Sequence, residues 1–130
     1  MFKDTPNFSG FSVDNLVKAK EFYGDTLGVA LDNDAMGLHL HLAGNKEVFV
    51  YEKKDHKPAT FTVLNFIVEN IDTTMDEMIS KNIKFEHYDM GPDMKQDEKG
   101  VLRGLAANMG PDIAWFKDPA GNILSVIQEK

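Results

Sequence analysis

The decisive stretch of this sequence is Phe116-Lys-Asp-Pro-Ala-Gly-Asn-Ile-Leu-Ser-Val-Ile-Gln128. Its central residues, Asp118 to Asn122, predict a turn, because proline fixes φ while glycine and asparagine tolerate positive φ. Apolar, β-prone residues lie on both sides of that turn, so we predict a β-hairpin. Side chains of the second arm alternate between two faces, and Ser125 is a small polar residue on an otherwise apolar face.

The composition is typical of one globular domain, and its charge argues against nucleic acid or an anionic membrane as a partner. The chain has 130 residues, of which 42% are hydrophobic and 27% charged, which suffices for a single core. A formal net charge of -7 and a pI near 5.0 leave no basic surface for nucleic acid or an anionic membrane. The absence of cysteine excludes disulfides, zinc-thiolate sites and thiol nucleophiles. The N-terminus lacks a signal-peptide pattern, and no apolar run approaches the roughly 18 residues of a membrane helix, so we expect a cytoplasmic protein.

The first half of the chain predicts a strand, an amphipathic helix and three further strands. Asn7 to Val13 is β-permissive, and Asp14 or Asn15 can cap a helix whose apolar stripe ends at Leu27. Extended character resumes after the helix, and one run alternates strictly between leucine and histidine. The three later strands are expected at Val29 to Leu31, Leu38 to Leu42 and Val48 to Tyr51.

The second half repeats the first. Phe66-Ile-Val68-Glu-Asn70-Ile71 matches Phe11-Ser-Val13-Asp-Asn15-Leu16 at an offset of 55 residues, and Gly44-Asn45 recurs as Gly121-Asn122. A duplicated β-α-β-β-β module explains both matches, with module 1 at about 7–53 and module 2 at about 61–130. A module of this size buries little surface alone. We therefore predict one α+β domain over residues 1–130, whose modules share a curved mixed sheet with the helices outside and a concave ligand cavity.

A long segment without periodicity, Glu86 to Pro111, interrupts the second half. Loops of this length in a domain are usually lids, binding segments or disordered, and these alternatives stay open. Its most notable side chains are Met90, Met94, Arg103 and Met109. Arg103 is a candidate ligand contact.

Three features together resemble a known family. They are the paired modules, the run Val-Asp-Asn-Leu-x-x-Ala-x-x-Phe-Tyr from Val13 to Tyr23, and the hairpin Phe116-Lys-Asp-Pro-Ala-Gly-Asn122. Over nearly the whole chain they resemble the vicinal oxygen chelate superfamily, which includes glyoxalase I, bleomycin-resistance proteins and extradiol dioxygenases. The resemblance implies a cavity-forming fold, a homodimer that completes each cleft across two chains, and chemistry ranging from metal-dependent enzymes to metal-free drug binding. Fold alone does not decide among these functions.

Metal-dependent members take ligands from the first and last strands of each module, and the resemblance places these positions at Phe8, Val48, Val63 and Ser125. None is a carboxylate or an imidazole, whereas a catalytic divalent metal needs three or four oxygen or nitrogen donors. We therefore expect no metal and no cofactor. The same positions predict an apolar cavity floor made by Phe8, Val48 and Val63.

Other candidate site residues are polar or aromatic side chains on the predicted strands. His39 and His41 share a strand face, where they form either a solvated surface or part of a metal site. Trp115, the only tryptophan, lies three residues before Asp118, where similar proteins contact ligand, although it could instead be a packing residue. The polar residues expected to orient a ligand are Asn65, Ser12 and Ser125.

These observations support two hypotheses of different classes. The leading one is a metal-independent protein that binds a small aromatic metabolite or drug in the clefts of a homodimer. The alternative is a metal-dependent glyoxalase-like lyase or extradiol dioxygenase-like enzyme whose ligands have moved to His39, His41 and Glu52. A third possibility is an interaction module without a small ligand.

Overall fold

Each half of the chain folds as a strand, a helix and three further strands. The computed structural model describes all 130 residues and divides into an N-terminal unit, Met1–Pro58, and a C-terminal unit, Ala59–Lys130. The N-terminal unit contains β1 (Ser9–Val13), α1 (Leu16–Lys20, continued by a π-helical turn at Glu21–Thr26), β2 (Ala30–Asn33), β3 (Leu38–Leu42) and β4 (Lys46–Glu52). The C-terminal unit contains β5 (Thr62–Ile67), α2 (Ile71–Ser80), β6 (Val101–Arg103), β7 (Asp112–Lys117) and β8 (Ile123–Gln128).

The two units have the same sheet topology. Their strand orders are β1-β4-β3-β2 and β5-β8-β7-β6. In each unit the first strand along the chain pairs in parallel with the last, β1 with β4 and β5 with β8. The remaining pairs are antiparallel. The α+β class and the duplicated module are confirmed. The strands form two four-stranded sheets, and the assembly of both modules around one cavity stays a prediction.

Both helices begin in the same way. Asn15 caps α1 by accepting a hydrogen bond from the Lys18 amide, and Asn70 caps α2 through the Thr73 amide. The end of the last strand also binds each helix: Glu52 Oε1 accepts from the Leu16 amide at 2.9 Å, and Gln128 Oε1 accepts from the Ile71 amide at 2.9 Å. Neither helix is both long enough and apolar enough to cross a membrane.

Each helix covers one face of its own sheet. In the N-terminal unit, Tyr23 packs against Phe11 with ring centroids 6.0 Å apart, and Leu38, Leu40 and Val50 are fully buried. In the C-terminal unit the buried side chains come from α2 and from alternate residues of the sheet, namely Ile71, Met75, Met78, Ala114, Phe116, Leu124 and Val126. We call the opposite face of each sheet its open face. Two apolar helix residues lie outside this core, since Val17 and Ile79 are 69% and 49% exposed.

The segment from Glu86 to Pro111 is more regular than its sequence predicts. It contains β6, which pairs with β7 and occupies the place that β2 has in the first unit. Three residues are too few to produce a recognisable period of two, so this strand has no sequence pattern that predicts it. The carboxylate of Asp97 accepts hydrogen bonds from the amides of Lys99 and Val101, which fixes the approach to β6.

The predicted hairpin is confirmed, with Phe116 paired to Leu124 and Lys117 to Ile123. Its turn is organised by Asp118, whose Oδ1 accepts from the amides of Ala120 and Asn122 and whose Oδ2 accepts from Asn122 Nδ2. Asp118 and Asn122 are buried, and Gly121 has a φ of 87°. Glycine adopts this left-handed conformation without the steric cost of a Cβ.

Replacing Asp118 with alanine should lower the free energy of unfolding by about 2 kcal/mol or more. Buried N–H groups of the turn would lose their acceptor, and each unsatisfied buried donor costs roughly 1–3 kcal/mol. Urea denaturation would measure the change. The matched control is Glu129→Ala, which removes the same charge from an exposed position and should shift stability by less than about 0.5 kcal/mol. Equal denaturation midpoints for the two variants would contradict this role for Asp118.

Candidate functional site

The open face of the N-terminal sheet carries a row of rings. His39 lies opposite Phe49 on the neighbouring strand, with ring centroids 5.1 Å apart. Phe49 stacks on Tyr51 at 5.6 Å and 19°, and Phe8 meets Phe49 edge-on at 6.3 Å. Phe8 is 64% exposed. Ser12, on the same face, is hydrogen-bonded through Oγ to His56 Nδ1 at 2.7 Å.

The two histidines share this open face, and each is paired with an aspartate. His39 Nε2 lies 2.9 Å from Asp34 Oδ2, and His41 Nε2 lies 2.7 Å from Asp32 Oδ2. Glu47 Oε1 lies near the Nδ1 atom of both rings, at 3.6 and 3.9 Å. The hydrogen bond to Asp34 raises the pKa of His39, and Glu47 adds to this shift.

These side chains do not assemble a metal site. No group of three or more His, Asp or Glu residues has an arrangement that could hold a metal ion. Glu52, the third residue of the relocated ligand set, is exposed and accepts a hydrogen bond from the Leu16 amide at the start of α1. The relocated set His39, His41 and Glu52 therefore does not form a coordination site in this structure.

Two positions of the predicted cavity floor need correction. Val48 is 8% exposed and pairs with the fully buried Leu40, so it lies on the helix-covered face, and Phe49 has the open-face position beside it. The cause is the period of two in a strand, by which a shift of one residue reverses the face. A register shift between Thr62 and Leu64 displaces the second position, so Thr62 rather than Val63 lies opposite Ile123.

Arg103 lies on the helix-covered side of the C-terminal sheet, where it forms ion pairs with other residues of the same unit. Its guanidinium donates to both oxygens of Asp72 on α2, at 2.8 and 2.9 Å, and its Nε donates to Asp97 at 2.9 Å. Arg103 and then Lys99 hold the pKa of the Asp72 carboxyl well below its usual range. This network fastens α2 to β6, so the predicted ligand contact at Arg103 is replaced by a link between two elements.

Trp115, Ser125 and Asn65 lie together on the open face of the C-terminal sheet. Ser125 is paired with Trp115 on β7 and with Asn65 on β5. The Ser125 hydroxyl is buried and donates to Asn65 Oδ1 at 2.5 Å, while Asn65 is exposed. The indole Nε1 of Trp115 donates to Thr62 Oγ1 at 3.2 Å, which fixes the plane of the ring.

A pocket of about 210 Å³ lies against the Trp115 ring. We call it the Trp115 pocket. Tyr88 meets Trp115 at 5.9 Å and 72°, and Phe61, 67% exposed, is a third aromatic residue of the lining. Burial, and to a smaller degree the charge of Glu86, raises the pKa of the Tyr88 phenol, so its hydroxyl stays protonated at neutral pH. The full lining is Thr60, Phe61, Thr62, Tyr88, Met90, Trp115 and Ile123.

The long segment after α2 brings Tyr88 to this pocket. The amide of Glu86 donates to the Trp115 carbonyl at 2.8 Å, which joins the segment to β7. Gln96 then accepts from the Tyr88 amide and donates to the Glu86 carbonyl. Of the methionines named from the sequence, Met90 lines the pocket, whereas Met94 and Met109 are outside its lining and exposed.

The sequence did not reveal four of the seven lining residues. Thr60, Phe61 and Thr62 stand at the junction between a polar linker and β5, and Tyr88 lies in the segment without periodicity. Thr62 and Asn65 both belong to β5, opposite the second arm of the hairpin. That Thr62 lies opposite Ile123 results from a bulge in β5, which only the strand pairing reveals.

A larger groove, of about 620 Å³, lies beside α1 and β2. Its lining includes Val17 and Leu31 together with the charged residues Lys20, Glu21 and Asp25, and it contains no aromatic side chain. None of the residues singled out in the sequence lies there. The Trp115 pocket is the better candidate, since it combines rings with polar groups held by hydrogen bonds.

Comparison with solved structures identifies the architecture. A glyoxalase family protein from Enterococcus faecalis is 20% identical, covers 98% of this chain and 99% of its own, and has a TM-score of 0.67. A member of the glyoxalase/bleomycin resistance protein/dioxygenase superfamily from Sphaerobacter thermophilus is 20% identical, with coverages of 95% and 98% and a TM-score of 0.65. The chain has the vicinal oxygen chelate fold. The fold implied by the sequence resemblance is confirmed.

The same fold occurs in a protein of different printed function. TnmS3, an antibiotic binding protein from Streptomyces sp. CB03234, is 18% identical, covers 98% of both chains and has a TM-score of 0.63. No protein-family model and no curated protein sequence matches this chain. At these identities the vicinal oxygen chelate fold is shared, and the activity is a separate question.

His39 should titrate above the ordinary histidine range, and Asp34→Asn should move its pKa down. A raised folded-state pKa means that the His39–Asp34 contact stabilises the fold fully below the unfolded pKa of about 6.5 and is lost as the pH rises through the raised value. NMR titration of the imidazole Cε1 proton would measure the shift. Asp14→Asn, the same change at another exposed aspartate of this unit, is the control. A His39 pKa that is identical in both variants would rule out the pairing.

Proposed function

We propose that this protein binds a small, partly aromatic molecule at the Trp115 pocket without using a metal ion. The observation that carries the proposal is the aromatic lining itself, in which Trp115, Tyr88 and Phe61 surround one small cavity. Ligand sites of this kind combine apolar and aromatic walls with a few polar groups that set orientation. Thr62 holds the indole ring in place through the Trp115 N–H, so little ordering is required on binding.

Asn65 supplies the orienting group in this proposal. Its Oδ1 is occupied by the Ser125 hydroxyl, which leaves the two N–H donors of its amide for an acceptor on the ligand. Asn65 is exposed, whereas Ser125 is buried beneath it and fixes its orientation. The proposed ligand therefore carries an acceptor such as a carbonyl or hydroxyl oxygen.

Metal independence is supported by the side chains that stand at the ligand positions of the fold. With the two corrected positions, the set is Phe8, Phe49, Thr62 and Ser125, which contains no carboxylate and no imidazole. Its two hydroxyls are already hydrogen-bonded, that of Ser125 to Asn65 and that of Thr62 to the Trp115 indole. The antibiotic binding protein TnmS3 shows that this fold also occurs in proteins named for binding rather than for catalysis. A cytoplasmic location is part of this proposal, because a chain without cysteine has no disulfide that would call for an oxidising compartment.

Small aromatic probes should bind and perturb the single tryptophan. Benzyl alcohol, indole and 2-naphthol would be titrated while the one indole Nε1–H resonance is followed by NMR, and at least one should shift it saturably. Addition of EDTA should leave the affinity unchanged. By calorimetry, Trp115→Ala should weaken binding roughly tenfold or more, since an aromatic pair contributes about 0.5–1.5 kcal/mol beyond its buried area and 1.4 kcal/mol is a factor of ten.

Two methionines of the same segment provide a matched control for this experiment. Met90 lines the pocket, so Met90→Ala should weaken binding by about threefold, in line with the roughly 0.3–1.5 kcal/mol of a sulfur–aromatic contact. Met109 is 69% exposed and outside the lining, so Met109→Ala should have no effect. The proposal fails if none of the probes shifts the indole resonance, or if the two methionine variants behave alike.

We also propose that the protein is a homodimer. Several large apolar side chains are exposed, among them Phe8, Val17, Phe61 and Ile67, and each sheet has two edge strands. Burial of such surface and such edges by a second copy is the usual solution in symmetric oligomers. Sedimentation equilibrium at micromolar concentration should give twice the chain mass of 14.6 kDa. A mass equal to that of one chain would exclude the dimer.

A further inference from the structure

The Trp115 pocket presents ring surfaces in different orientations. Trp115 and Tyr88 are inclined at 72° with centroids 5.9 Å apart, and Phe61 and the polarisable side chain of Met90 complete the apolar lining. Rings set at a large angle surround a compact, rounded group better than a flat one, because such a group contacts more than one π-face. Aromatic cages that bind onium groups likewise present rings in more than one orientation.

The polar groups of the lining decide which charge is tolerated. Only Thr60, Thr62 and Tyr88 contribute hydroxyls, and Thr62 already accepts a hydrogen bond from the Trp115 indole. No Lys or Arg lines the pocket, so an anion would have no counter-charge. No carboxylate lines it either, so a primary ammonium would exchange its hydration shell for neutral hydroxyl acceptors alone. A quaternary ammonium has no N–H donors and avoids that cost.

The surrounding charge favours a cation as well. The C-terminal unit contains twelve Asp and Glu against seven Lys and Arg. Lys117, on the strand that carries Trp115, is paired with Glu86 at 3.3 Å. A negative field of this kind raises the local concentration of cations.

The size of the pocket indicates that it holds a head group. Its volume of about 210 Å³ is below the roughly 300–1,000 Å³ of sites that enclose a whole drug-sized ligand. A trimethylammonium group is compact enough for such a space, and the remainder of the ligand would then lie outside it.

We propose that the Trp115 pocket is an aromatic cage for a quaternary ammonium group, held by cation–π contacts with Trp115, Tyr88 and Phe61. The inference rests on the proposed function and names the chemical class of its ligand. It makes charge, rather than apolar area alone, the basis of selection at this site.

Choline and 3,3-dimethylbutan-1-ol test the proposal, because they have the same shape and differ in charge. Both would be titrated against the fluorescence and the indole Nε1–H resonance of Trp115 in the full chain. Choline should bind about tenfold more tightly than the neutral analogue, since a cation–π contact contributes about 0.5–2 kcal/mol and 1.4 kcal/mol is a factor of ten. Equal affinities, or a preference for the neutral alcohol, would overturn the cage.

Variants separate ring chemistry from hydrophobic packing. Tyr88 is 37% exposed, so Tyr88→Leu should fold and should abolish most of the preference for choline, while Tyr88→Phe keeps the ring and should retain it. Phe2→Leu changes another exposed ring, 75% exposed in the other unit, and should leave the preference unchanged. Full preference in Tyr88→Leu would overturn the assignment.

The outcomes also distinguish this inference from the proposed function. If benzyl alcohol, indole or 2-naphthol binds at Trp115 but choline does not, the cage is wrong and the aromatic-binding function stands. If neither choline nor any aromatic probe perturbs Trp115, both are wrong. If choline binds with the stated preference and the aromatic probes do not, the cage stands and the function must be restated for onium ligands.

Discussion

Burial of one sheet face under a helix is the constraint on which each unit depends. Because strand side chains alternate, every residue packed against the helix places its neighbours on the open face. Leu38 and Leu40 under α1 thus put His39 and His41 on the opposite side, and Phe116 under α2 leaves Trp115 there. The residues that pack in the core therefore also determine which residues form the candidate site. A one-residue shift in the register of a strand would exchange its buried residues with its open-face residues.

Polar contacts at the ends of the elements determine where the open-face groups stand. The first amide of each helix is held by the last strand of its own unit, through Glu52 in one and Gln128 in the other. The segment before β6 is also held by Gln96, whose side chain joins the Tyr88 amide to the Glu86 carbonyl. Buried polar groups in this arrangement are satisfied, which is the condition for a defined pocket wall.

Basic residues of the C-terminal unit form ion pairs that hold its elements together. Arg103 and Lys99 are engaged with Asp72, so they tie β6 and its approach to α2. Lys117 is engaged with Glu86, next to the backbone bond that fixes the segment on β7. The Trp115 pocket is lined by neutral side chains and belongs to an acidic unit. Such a site selects against anions without containing a negative charge itself.

The sequence alone determined the class of the fold, the duplication and the hairpin, because these depend on local rules: turn residues at Asp118–Asn122, the caps Asn15 and Asn70, and alternation in β3. It also named Trp115, Ser125 and Asn65 as candidate site residues, and the strand pairing is what brings them together on one face. The remaining features depend on contacts between distant parts of the chain. Counting residues from a turn did not reveal that Val48 lies on the helix-covered face, or that the bulge at Thr62 displaces Val63. Tyr88 and Phe61 reach Trp115 through pairings between distant segments, and Arg103 is claimed by Asp72, which lies 31 residues earlier in the chain. Contacts of this kind depend on three-dimensional packing, which has no local periodicity for a sequence pattern to record.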